Sequence, residues 1–237
     1  MKCFLKYPKD VTALIKAVLL DLDNTLYDEH QFVKSGFKTV ARELANNFGL
    51  KEELIYSRLY KIFIEQGRNH VFTQTLNYYD IYTDVTFSNI LEVYRNHTPQ
   101  ISIFKDVNDV LPDLKKKYRL GLVTDGLKFV QKNKVKALKI GSYFDDIVYA
   151  TDYGGKYCQK PFSVVLEKLQ VKANESVYVD DDPYRGFAVA KQLGIRTIRM
   201  LRGENKDILV TDQQVKPDRE ISNLYQLENS IYGIDRL

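Results

Sequence analysis

The sequence predicts an α/β protein: an open parallel β-sheet covered by helices, with an α-helical block inserted after the first strand. Two observations lead there. Short apolar runs that end in polar turns alternate with helical segments, which is the texture of βαβ units whose strands are buried on both faces. Between residues 30 and 98 that alternation stops, and only a helical period remains. In chain order, "AVLL" (17–20) runs into Asp21 as the first strand. The inserted block follows, with Val33, Phe37, Val40 and Leu44 on one helical stripe and Ile55, Leu59 and Ile62 on another. "LGLV" then ends at Thr124, and "LKFVQKNKVKALKI" reads as a helix closed by Gly141. "DIVYA" leads into Thr151, "FSVVLEKLQ" is helical, and "SVYV" leads into Asp180. "GFAVAKQL" is a helix closed by Gly194, and "IRTIRML" is a last strand. The polar segment 202–220 reads as a long surface loop or sheet edge. The expected organisation is a core of residues 1–29 plus 99–237 and a lid-like helical block of residues 30–98.

Composition narrows the setting. The 237 residues are 44% hydrophobic and 28% charged, which fits a globular chain and neither a disordered tail nor a membrane protein. Thirty-five basic against 31 acidic residues is too balanced for a nucleic-acid footprint. The basic run across 115–139, with Asp125 as its one acid, reads as a solvated face. No apolar run approaches the roughly 20 residues that a bilayer requires. "MKCFLKYPKDVTALIK" lacks the apolar centre and cleavage pattern of a signal peptide. Cys3 and Cys158 are too few for a disulfide framework, so a reducing, cytoplasmic setting is expected.

The polar residues fall where such a sheet binds ligands, beyond the carboxyl ends of its strands. Asp21, Asp23, Thr124 and the aspartates from 180 each follow an apolar run, so several loops are expected to meet at one edge. Lys160 precedes Pro161, and proline favours the first turn of a helix, which places this lysine at a helix start. Carboxylates, a hydroxyl and an amine in one place suggest a divalent cation and a phosphate. Clustered carboxylates repel one another unless a cation neutralises them, and hard oxygen donors suit Mg²⁺. Of Asp21 and Asp23, one can attack phosphorus while the other passes a proton to the leaving oxygen. Lys160, Thr124 and backbone N–H groups around Asp125 and Gly126 would then face the developing charge.

"DLDNT", "LVTDG", "QKP" and "YVDDDP", in that order, resemble the four motifs of the haloacid dehalogenase superfamily of phosphatases. The resemblance spans nearly the whole chain, with the helical block where capped members carry their cap. It implies a Rossmann-like core, Mg²⁺ and an aspartyl-phosphate intermediate on a small phosphorylated metabolite. It implies Asp21 as nucleophile and metal ligand, and Asp23 as general acid/base that also offers its carbonyl to the metal. Thr124 and Lys160 would hold the phosphoryl group, and Asp181 would complete the metal site. The fourth motif departs from the family's pattern: Asp180 stands where glycine is usual and Gly186 where a second acid is usual. Some members use adjacent aspartates, which leaves Asp180, Asp181 and Asp182 as alternative ligands. Asp23 argues against dehalogenation, which needs no such acid.

Other readings stay open at this point. Gly186 and the triple aspartate are compatible with a weak or inactive relative that binds a phosphorylated ligand or a protein. A phospho-acceptor signalling module also combines aspartates, a threonine and a lysine, although this chain is too long for that module alone. Phe72, Tyr78, Tyr79, Tyr82 and Phe87 are read mainly as packing residues of the helical block, with Arg68 and His70 as candidate polar partners for a ligand.

Overall fold

The computed structural model describes residues 14–234; the opening stretch and Cys3 lie outside them. Among the described residues the strands are β1 (Ala17–Leu20), β2 (Arg119–Thr124), β3 (Asp146–Tyr149), β4 (Ser176–Asp180), β5 (Arg196–Met200) and β6 (Arg219–Ile221). They form one parallel sheet in the order β3-β2-β1-β4-β5-β6. The chain builds outward from β1 to β3 and then returns to β1's other side to build β4, β5 and β6. The order therefore reverses between β1 and β4, and at that point loops leave in opposite directions and open a crevice at the carboxyl edge.

The strands are apolar because both faces are covered. Val18 and Leu20, Leu120 and Leu122, and Val177 and Val179 are fully buried toward one side. Ala17, Leu19, Val123 and Tyr178 turn to the other, where they pack with Phe162, Val165 and Leu169 of helix α7 (Gln159–Leu169) and with Phe187 and Ala190 of α8 (Phe187–Leu193). Gly121 lets α7 approach the sheet closely, since a Cβ there would lie 2.7 Å from Val165 Cγ2. Helices α5 (Lys105–Lys117) and α9 (Leu227–Ile234) complete this part.

The chain divides into two compact units. One comprises the described part of Met1–Leu26, with Phe104–Gly126 and Ile140–Leu237, and contains the whole sheet. The other comprises Tyr27–Ile103 together with Leu127–Lys139, and so takes in α6 (Lys128–Leu138). It contains α1 (Glu29–Phe48), α2 (Glu52–Gln66), α3 (Val71–Tyr78) and α4 (Asp84–Asn96). Helix α1 starts where the Asp28 side chain accepts from His30 N at 3.0 Å, and it stops at Gly49, whose φ of 69° suits glycine. Its stripe of Val33, Phe37, Val40 and Leu44 packs with Ile55, Leu59 and Ile62 of α2, as their spacing requires. Phe72, Tyr79 and Phe87 pack against that cluster, whereas Tyr78 is exposed with the Arg58 guanidinium 3.4 Å from its ring centre. Arg68 is engaged by Glu29.

One local detail differs from the sequence reading. Helix α6 is closed by Lys139 in the left-handed conformation, at φ 56°, rather than by Gly141. The segment 202–220 runs as loop into β6, the edge strand of the sheet, as the sequence reading allowed. β1 stops at Leu20, and the chain bends at Asn24, at φ 58°. No helix among the described residues is long and apolar enough to cross a membrane.

Candidate active site

Asp21 follows β1 directly, and its N–H donates to Val179 O of β4 at 2.9 Å, which holds it at the crevice. Asp180 ends β4, and Asp181 follows. All three acids are buried, and carboxylate oxygens of Asp21, Asp180 and Asp181 come within 4.8 Å of one another. Thr124 ends β2 and is fully buried; β1 and β2 pair Leu20 with Leu122, so Thr124 emerges at the same edge. Asp125 and Gly126 follow it, and Gly126, at φ 115°, turns the chain while its carbonyl accepts from Thr151 Oγ1 at 2.8 Å. Asp23 is half-buried, and its charge is felt at Asp21.

The amine in this cluster is Lys156. Lys160 sits at the start of α7, as Pro161 foretold, but it is exposed. Lys156, only 3% exposed, forms an ion pair with Asp21 and another with Asp180 at 2.9 Å. The backbone explains the choice. Gly154 and Gly155 have φ of 91° and 87°, a pair of left-handed residues that turns the chain inward just before Lys156. The tandem glycine before a lysine was the signal in the sequence; the Lys-Pro pair drew attention four residues too far along.

The three neighbouring aspartates divide their work. Asp180 is saturated: Oδ2 accepts from Lys156 and from the Tyr178 hydroxyl, and Oδ1 accepts from Asp182 N at 3.0 Å. Asp182 closes the following turn, accepting from Tyr184 N at 2.9 Å and pairing with Arg185 at 3.4 Å. Among the described residues Asp181 accepts only from Asn205 Nδ2 at 3.1 Å, on Oδ2, which leaves Oδ1 for a ligand. Gly186, at the position of the usual second acid, adopts φ 97°, and a Cβ there would meet Phe162 Cζ and Tyr178 Cε1 at 3.1 Å each. Aromatic packing thus occupies the room a side chain at 186 would need.

Burial, opposed by Lys156 and reinforced by Asp180 and Asp23, pushes the Asp21 carboxyl up to about 8. Burial also lifts Asp181, to about 9, with Asp180 and Asp21 adding to it and Asn205 opposing. Burial disfavours the charged form of Lys156, but Asp180 and Asp21 outweigh it and hold the amine well above its ordinary range. One ammonium thus faces three carboxylates. In the absence of a cation, Asp21 and Asp181 keep protons that the unfolded chain releases near 3.8. The folded state then binds more protons, so the stability these groups contribute is complete below about pH 4 and lost as pH rises through 8 to 9. Calorimetry in EDTA should show the melting temperature falling between pH 7 and 9; a flat profile would contradict this environment.

A family model of haloacid dehalogenase-like hydrolases matches residues 18–200, and the chain belongs to that family. It is 27% identical over 232 residues to a glyceraldehyde 3-phosphate phosphatase of Methanocaldococcus jannaschii, covering 94% of this chain and 100% of that protein. It is 30% identical to the protein of the same name from Methanopyrus kandleri, covering 90% and 96% respectively. A 2-haloacid dehalogenase structure from Pseudomonas syringae pv. Tomato superposes with a TM-score of 0.66 at 26% identity, over 93% of this chain and 99% of that one. Within the family, this chain is a phosphatase hydrolase.

Proposed function

We propose that the chain hydrolyses a short phosphate monoester in a Mg²⁺-dependent reaction through a phosphorylated Asp21, with glyceraldehyde 3-phosphate as the first substrate to test. The observation that carries this reading is the convergence of Asp21, Asp180, Asp181 and Lys156 at the point where the strand order reverses. The donor set fits Mg²⁺, because buried carboxylate oxygens outnumber the single ammonium and Asp181 keeps one oxygen uncommitted. Asp21, Asp181 and the Asp23 carbonyl would hold the ion. Bound there, Mg²⁺ would neutralise the carboxylates and draw charge from the phosphoryl oxygens.

Asp21 attacks phosphorus and the ester oxygen leaves, while Asp23 supplies the proton that makes it an alcohol. Asp23, now a base, takes a proton from water as that water attacks the phosphorylated Asp21 and releases phosphate. The Lys156 ammonium, in the role first expected of Lys160, faces the phosphoryl oxygens together with the Thr124 hydroxyl and the N–H groups of Asp125 and Gly126. The helical unit is proposed as the cap that keeps bulk water from the intermediate. Asp180 gives Lys156 a carboxylate partner without an acid at 186, which supports the active reading. The proton role of Asp23 favours phosphate esters over carbon–halogen bonds.

The test is phosphate release from a panel containing glyceraldehyde 3-phosphate, pyrophosphate, sugar phosphates and nucleotides, with Mg²⁺ and with EDTA. Expected is turnover of short monoesters that stops in EDTA. No release from any panel member in Mg²⁺ would overturn the proposal.

A further inference from the structure

We infer that Asn205, on the segment after β5, is a positioning residue that orients the Asp181 carboxylate toward the metal, an inference that rests on the Mg²⁺ reading above. Its side-chain amide donates from Nδ2 to Asp181 Oδ2 at 3.1 Å. A carboxylate only accepts, so this bond claims one oxygen of a carboxylate that comes within 4.8 Å of Asp21 and Asp180, and leaves the other for an ion. Such an outer partner both fixes the ligand's direction and narrows the conformations it must give up on binding an ion.

The segment is built to hold that amide still. Arg199 of β5 pairs in register with Asp180 and is only 2% exposed. A buried guanidinium is costly unless its donors are met; here the two Nη groups meet two carbonyls of the segment and the Glu220 carboxylate, while Nε has no partner among the described residues. Nη2 donates to Asn205 O at 2.6 Å, and Nη1 donates to Ile208 O at 2.9 Å and to Glu220 Oε1 at 3.1 Å. On the near side, Arg202 Nη1 donates to Thr25 O at 3.1 Å, and the same guanidinium pairs with Asp106. Gly203, at φ 65°, lies so close to Asn24 that a Cβ would come within 2.4 Å of Asn24 Cγ. The segment is therefore fastened both to the loop that follows Asp21 and to the strand beside Asp180, with Asn205 between them. Neither attachment has a sequence signature, since the partners are separated by up to 177 residues.

The experiment is calorimetric titration of Mg²⁺ into the full chain without substrate, for the parent, Asn205→Ala, Arg199→Met and Lys206→Ala. Asn205→Ala should bind Mg²⁺ about 10-fold or more weakly. Its melting temperature in EDTA should stay near the parent's, because the side chain is only half-buried. Arg199→Met should weaken Mg²⁺ in the same direction while leaving Asn205 in the chain, and the exposed Lys206→Ala should match the parent. Mg²⁺ affinity of Asn205→Ala within twofold of the parent would overturn the inference. A parent that binds no Mg²⁺ would overturn the metal reading itself, and with it this role for Asn205.

Discussion

Asp21→Asn is expected to reduce phosphate release by about 10⁴-fold or more, the scale seen when a nucleophile is removed from machinery that acts as a unit. Asparagine keeps the shape but cannot form the acyl phosphate. Rapid acid quench of the parent with labelled substrate should trap phosphoprotein, and the variant should trap none. Stability should move the opposite way. Asp21 is 5% exposed, and burial pushes its carboxyl up to about 8, so a neutral amide relieves a strained charge above that pH. The melting temperature of Asp21→Asn at pH 9 in EDTA is therefore expected at or above the parent's. Full turnover by the variant would remove Asp21 from the chemistry.

Lys156→Met should lower kcat by roughly 10²- to 10³-fold, the effect of deleting one preorganised donor to the transition state. Lys160→Met should leave kcat/KM within about twofold, because Lys160 is exposed and the amine paired with Asp21 and Asp180 is Lys156. The contrast follows from burial: Lys156 is 3% exposed and pairs with two aspartates, while Lys160 is exposed on α7. Breaking a buried pair by removing one partner costs about 3–5 kcal/mol. For Lys156→Met that cost should be larger at pH 9, where Asp21 is charged, than at pH 5, where its carboxyl already carries a proton. Steady-state kinetics and melting curves of both variants decide the matter, and the reverse ranking would return the role to Lys160.

The pair of lysines shows what kind of information a sequence carries. Pro161 correctly announced a helix start, because proline's fixed φ and missing N–H act on the residues beside it. Which lysine turns inward depended on two left-handed glycines and on carboxylates far away in sequence, at 21 and 180. The triple aspartate behaves the same way. Its place at a strand end was legible from "SVYV", but the division of labour within it came from partners elsewhere: Lys156 and Tyr178 for Asp180, Asn205 for Asp181, Arg185 for Asp182. The segment 202–220 was opaque because its order comes from Arg199 reaching carbonyls at 205 and 208, a pattern with neither helical nor strand period.

By itself, the sequence determined the alternation of strands and helices, the inserted helical block, the acids after β1 and β4, and the family, since all of these rest on local periodicity and on residues adjacent in the chain. Only the tertiary structure decided which amine meets Asp21, which aspartate keeps an oxygen uncommitted, and which loop stands beside it. Those choices depend on burial and on long-range hydrogen bonds, which exist only once the strands have brought distant segments to one edge.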